Sequence, residues 1–285
     1  MKRLFYALPL IVLAVVSCGK EGTMITDEIC FTAEGSFEAE VKTRATAEVT
    51  SLASFSVNAV SGTMGSSETS VFNAVFDKDG SGSDYKGGKY WPSTDQSYKF
   101  YASNVSMTPA SGGPTIAATN ATDAVCAVLS NPTYRSSNQL KFNHVFARIG
   151  SCNISAPDGY AVSDLAVKIT PKTGGTYNLY TGDGKTDGTG WSDVSTGVDT
   201  VIASGTGSTA DNGLYLIPGN YTLTATYTLA KGDYTESFTK TASVDIVGGK
   251  VNNISAALPA GNAEQITFTV SVAAWGTNDI TATLI

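Results

Sequence analysis

Few residues in this sequence could do covalent chemistry. There is one histidine, His144, in 285 residues, so a Ser-His-Asp relay could run only through it, and a multi-histidine metal site is excluded. His144 sits beside Phe142 and Phe146 with no G-x-S-x-G elbow to supply a nucleophile, and reads as a packed strand residue. The four cysteines, Cys18, Cys30, Cys126 and Cys152, include no C-x-x-C pair, which removes zinc knuckles and thioredoxin-type sites. Cys126 lies in the apolar run AVCAVL and reads as a small buried hydrophobe; a Cys126–Cys152 bridge is the alternative. Asp77, Asp79 and Ser81 stand at the first positions of a calcium-like loop. The residue that would close that loop is Gly88 rather than a bidentate Glu, so a hairpin loop is expected. Asp183, Asp187 and Asp193 make a weaker case of the same kind. Trp191 falls in a Gly/Asp-rich stretch and is a candidate for stacking on a sugar ring. The expectation is therefore no catalytic residue, no metal, no cofactor and no enzyme.

Such residues need a scaffold, and the composition says which. Only 15% of residues are charged, with a net charge of −7, so a phosphate-binding basic face is absent and nucleic acid is excluded as a partner. Hydroxyls and glycine fill the gap: 36 Thr, 30 Ser and 29 Gly, a balance that favours strands and turns. Apolar and polar residues alternate with period two at Phe55–Ala59, Tyr98–Ala102, Leu165–Ile169, Tyr221–Tyr227 and Ile266–Val272, with no convincing helical stripe. Strands of this kind bury one face and wet the other, as in a sandwich. Gly/Ser/Asp clusters separate them, and the polar stretch Asn131–Ser137 is where a domain boundary is expected.

The first residues form a different kind of segment. Lys2 and Arg3 precede the apolar stretch Leu4–Val16, which is 13 residues long and too short to span a bilayer, and Ser17-Cys18 follows. This resembles a bacterial lipoprotein signal covering residues 1–17, with Cys18 as the lipidated residue. A tether then leads to a strand-like stretch holding Ile29, Phe31 and Phe37, and to the polar segment around Arg44-Ala45. A trypsin-like protease cutting at that arginine would detach the strand.

Several short motifs line up in order behind this signal: Tyr90-Trp91-Pro92, Tyr98-Lys99-Phe100-Tyr101-Ala102, Leu140-Lys141-Phe142-Asn143-His144, Leu216-Ile217-Pro218-Gly219, Gly249-Lys250-Val251-Asn252-Asn253-Ile254, and Val270-Ser271-Val272-Ala273-Ala274-Trp275. Together they resemble the fimbrillin-like (Mfa-like) lipoproteins, the pilins of type V fimbriae. The resemblance implies an all-β chain with two transthyretin-like β-sandwich domains, here residues 45–137 and 138–285. It also implies a lipid-anchored precursor at the outer membrane and removal of residues 18–44 by cleavage at Arg44-Ala45. Assembly into an extracellular fimbrium would follow, by strand addition between subunits. Independently of the family, a sandwich missing a strand exposes an apolar groove and unpaired backbone, a template for another strand.

Residues 278–285 are the candidate donor strand, with Ile280, Ala282 and Leu284 on one face; the alternative is that they form the last core strand of the second domain. The other expected partners are the outer membrane, through the lipid, and host or bacterial surface ligands. The alternative to a fimbrial subunit is a monomeric surface lipoprotein that binds glycans or host molecules through loops such as Gly182–Asp193.

Overall fold

The structure, a computed structural model, describes residues 28–35, 52–62, 67–91, 97–132, 134 and 137–275. Among them every regular element is a strand, and no helix is long and apolar enough to cross a membrane.

The N-terminal core is wrapped by β1 (Glu28–Gly35), β2 (Ser54–Ser61), β3 (Thr69–Lys78), β4 (Asp84–Tyr90), β5 (Tyr98–Ser103), β8 (Val125–Leu129) and β9 (Ser137–His144). Their hydrogen bonding closes into a barrel in the order β1-β4-β3-β2-β5-β8-β9. Period-two alternation places Phe55, Val57 and Ala59 of β2 and Tyr98, Phe100 and Ala102 of β5 inside, with Phe76, Leu140 and Phe142. Trp91 packs edge-on against Tyr98, Phe100 and Tyr134, so the Tyr-Trp-Pro and Lys-Phe-Tyr-Ala motifs meet in one aromatic cluster.

The C-terminal sandwich contains β10 (Ala147–Ser155), β11 (Ala161–Ile169), β14 (Thr200–Ser204), β15 (Gly207–Thr209), β16 (Leu214–Leu216), β17 (Gly219–Lys231), β18 (Tyr234–Ile246), β19 (Lys250–Ala257) and β20 (Thr267–Ala274). One sheet runs β15-β10-β19-β20, with β16 also on β10; the other runs β14-β11-β17-β18. Tyr221, Leu223, Ala225, Tyr227 and Leu229 of β17 all face the shared core, while the intervening threonines lie on the other face of the strand. The hairpin β17–β18 is in register from Gly219↔Ile246 to Lys231↔Tyr234. It turns through Gly232 at φ +60, a left-handed conformation that glycine adopts without a Cβ penalty.

A third sheet joins the halves. It is built from β6 (Met107–Thr108), β7 (Thr115–Thr119), β12 (Lys172–Asn178) and β13 (Trp191–Thr196), in the order β13-β12-β7-β6. Beneath it lies a separate core in which Tyr101, Ile116 and Cys126 meet Phe146, Tyr177 and Trp275.

The structure bears on three of the sequence readings. Strand β9, which begins at Ser137, pairs with β8 and β1 and so belongs to the barrel; the chain changes sheet between His144 and Ala147. Cys126 is a buried member of an apolar core, as its run suggests; it and Cys152 are both free and belong to different cores, so the alternative of a bridge between them falls. Trp191 opens a strand rather than sitting in a loop.

The Gly-Lys-Val-Asn-Asn-Ile motif has a structural reason. Buried Asn252 donates to the carbonyls of Val247, Lys250 and Arg148 at 3.0–3.3 Å and accepts from Val247 N at 2.9 Å. Its neighbour Asn253 accepts from the backbone and hydroxyl of Ser151. A Cβ at Gly150 would stand 2.3 Å from Asn253 Oδ1. The two asparagines thus brace the irregular parallel pairing of β10 with β19.

Candidate functional site

The N-terminal barrel is closed by β1. Its sequence, EICFTAEG, puts Ile29 and Phe31 into the core and Ala33 partly against it. Phe31 is 0% exposed, with its ring edge-on to Phe76 and Phe100 at 5.0 Å each and tilted against Phe55 at 6.4 Å. On one side β1 runs antiparallel to β4, with Phe31 opposite Tyr85 and Thr32 opposite Asp84. On the other it runs parallel to β9 over six pairs, Cys30↔Ser137 to Gly35↔Phe142. Glu34 lies opposite Lys141, and Glu28 is close enough to Lys86 to hold that ammonium's pKa up, behind the larger effect of its Asp79 partner.

These contacts define what β1 does for the barrel. Each large apolar side chain buried this way is worth roughly 1.5–3 kcal/mol in area removed from water. Without β1, the facing edges of β4 and β9 would lose their partners and the Phe55, Phe76 and Phe100 rings would line an open slot. Unpaired strand edges beside an apolar groove recruit a strand.

The other sequence candidates fall elsewhere. Cys18, Arg44, Ala45, Ile280, Ala282 and Leu284 lie outside the described residues. Trp191 is half-buried, its ring 5.0 Å from Phe146 and 5.2 Å from Tyr177, so part of its surface is already engaged. Asp79 is salt-bridged to Lys86, and among the described residues no group of acidic, Cys and His side chains could hold a metal ion.

A cavity of about 200 Å³ opens where the two halves meet, lined by Cys126, His144, Tyr177, Asp183, Lys185 and Lys250 among others. His144 is buried, with Nδ1 2.9 Å from Asp123 and its ring stacked 3.9 Å from that of Trp275. Trp275 in turn stacks on Tyr215. Burial pushes the Cys126 thiol up to about 12, so it stays protonated and is a poor nucleophile at neutral pH. Burial also raises the Asp183 carboxyl. The arrangement packs the halves together; it assembles no nucleophile, base and oxyanion donors. Asp123 and Trp275 as partners of His144 were invisible in the sequence, since no motif joins such distant positions.

A family model described as fimbrillin-like matches residues 43–275. Solved structures that resemble the chain include a candidate cell adhesion protein from Bacteroides ovatus, 14% identical over 89% of this chain and 99% of that one, with a TM-score of 0.48. Another candidate cell adhesion protein, from Bacteroides eggerthii, is 13% identical over 88% and 97%, TM-score 0.48. A fimbrial assembly protein from Parabacteroides distasonis is 10% identical over 87% and 99%, TM-score 0.41. A comparison with curated proteins gives no match.

Proposed function

The chain belongs to the fimbrillin-like family, and on that premise we propose that it is a fimbrial subunit which assembles by exchanging β1 for a strand of a neighbouring subunit. The family is structural rather than enzymatic, and its setting is the cell-surface fimbria. In this reading the precursor is held at the outer membrane by an acyl chain on Cys18. An arginine-specific protease then cuts at Arg44-Ala45 and frees the strand.

The observation that carries the proposal is the position of β1. It is the one stave of the barrel that lies before residue 43, where the family match begins, and it is joined to the remaining strands by a single connection. A cut at Arg44 would remove the main-chain link from β1 to the later strands, leaving it between two strands that can both accept a replacement. Released binding free energy would come from the same apolar burial and backbone ladder that β1 now provides.

Limited digestion of the full chain with an arginine-specific protease tests the proposal. The expected result is one early cut after Arg44, followed by ladders of oligomers that survive detergent without heating. Cleavage with loss of β1 but no gain in assembly, in the presence of other subunits of the same fimbria, would count against it. No observation favours the monomeric glycan-binding alternative: Trp191, its stacking candidate, packs on Phe146 and Tyr177.

A further inference from the structure

We infer that the groove under β1 selects its incoming strand by the spacing of two bulky side chains, and that it takes a strand with the β1 pattern rather than residues 278–285 of a second copy of this chain. The inference rests on the strand-exchange reading above and adds the identity class of the partner.

Ile29, Cys30 and Phe31 are 1%, 1% and 0% exposed; Ile29 and Phe31 are the two that enter the barrel core, while Cys30 between them is disulfide-bonded. A third, shallower position holds Ala33. The Phe31 position is the most demanding, because Phe55, Phe76 and Phe100 surround it with ring edges and faces. A smaller residue there would leave a void in a rigid aromatic wall. On the face turned to the barrel core the occupant must therefore carry an aliphatic residue two positions before an aromatic one and a small residue two positions after it. Its flanks meet cationic side chains, since Lys141 lies opposite Glu34 and Lys86 is drawn to Glu28. An acidic residue at either end completes the match.

Residues 278–285 do not fit that description. Entering as a strand, they would put Ile280 and Leu284 on one face, four positions apart with Ala282 between them. Strand side chains repeat every two residues on a face. Any register that seats Ile280 or Leu284 in the Phe31 position therefore leaves Ala282 or a residue other than a bulky hydrophobe in the Ile29 position. The opposite face offers Thr281, Thr283 and Ile285, which again pairs one bulky group with a polar one. Neither face carries an aromatic residue. The donor that satisfies this groove comes from a subunit whose exchange strand has the β1 pattern.

The test uses the full chain, cut after Arg44 by an arginine-specific protease or through a specific protease site inserted there. Loss of β1 is followed by mass spectrometry, and binding of fluorescent peptides by anisotropy. Four peptides are compared: Glu28–Gly35, Asn278–Ile285, Asn278–Ile285 carrying Ala282→Phe and Leu284→Ala, and Asn278–Ile285 carrying Ile280→Phe. The first and third share the required spacing and are expected to bind at least about tenfold tighter than the second. The fourth adds an aromatic ring without changing the spacing and is expected to stay weak. Binding of the unaltered 278–285 peptide within threefold of Glu28–Gly35, or tight binding of the Ile280→Phe peptide, would overturn the selectivity while leaving strand exchange standing. Failure of Glu28–Gly35 itself to re-enter a chain that has demonstrably lost β1 would remove strand exchange and the inference with it.

Discussion

The two halves of the molecule complete their cores in different ways. In the N-terminal barrel the last stave is β1, attached to the other strands at one end only and paired parallel to β9, a strand more than a hundred positions later. In the C-terminal sandwich the longest pairing is the β17–β18 hairpin, whose thirteen pairs are joined by a two-residue turn. Both cores bury aromatic and branched side chains to a similar degree. What differs is the connectivity of the strand that seals each core. A hairpin strand that leaves its place stays tethered close by and returns at low entropic cost. A strand held by one severable link returns, once the link is cut, only as a free partner at its bulk concentration. The chain therefore carries a removable part and a permanent part built from the same kind of sheet.

The largest expected effect falls on the removable part. Phe31→Ala should destabilise the barrel by about 3–5 kcal/mol, the usual cost of emptying a fully buried phenyl site. Denaturant unfolding followed by hydrogen exchange should place the loss in β2, β4, β5 and β9 and spare β17 and β18. A loss spread evenly over both halves would mean that the junction core, with Tyr101 and Trp275 in it, couples them into one unit, and the contrast drawn above would fail.

The permanent part has a polar brace where the barrel has a removable stave. Asn252→Ala removes the side chain that serves Val247 N and three carbonyls. Leaving buried polar groups without partners costs about 1–3 kcal/mol each where water cannot reach them, and a total near 2–3 kcal/mol is expected. The same hydrogen-exchange map should now show the deficit in β10 and β19. An unchanged melting temperature would demote the brace to a feature of geometry alone.

Much of this was legible from residue types. The alternation in Tyr221–Tyr227 and Ile266–Val272 marks strands because side-chain direction reverses at each residue, and the same rule put Ile29 and Phe31 on one face of an N-terminal strand. The joining sheet was not legible. β6 has two residues and β7 five, too few to show a period. The change of sheet was not legible either. It occurs at Val145-Phe146, which are buried and apolar, whereas composition marks boundaries by polar residues. His144 was correctly read as packed, but its Asp123 and Trp275 partners depend on three-dimensional closure that no local pattern encodes.

A subtler probe concerns the rim of the groove. Lys141→Glu places like charges across the β1–β9 pair at Glu34, and facing like charges in a sheet cost about 0.2–1 kcal/mol. The penalty should shrink in high salt, because these groups face solvent. The corresponding reversal of Lys168, on β11 in the permanent half, is expected to change stability by less than about 0.5 kcal/mol. Equal effects at the two sites would argue that the rim lysines contribute nothing special to holding β1.

The smallest effect lies at the seam between the halves. Burial raises the Asp183 carboxyl above its ordinary value of 3.8, so the folded chain binds that proton more tightly than the unfolded chain does. Stability from this group is then complete at pH values below the ordinary value and is lost as pH rises through the raised one. Asp183→Asn removes the titration and should leave stability unchanged near pH 3 while raising it slightly near pH 7, by less than about 0.5 kcal/mol for a residue at the cavity mouth. Thermal melts of the two proteins across that range would show the curves separating only on the alkaline side. Separation on the acid side, or a loss at pH 7, would mean that the Asp183 carboxylate holds the seam closed through a charge interaction and that burial is not what governs it.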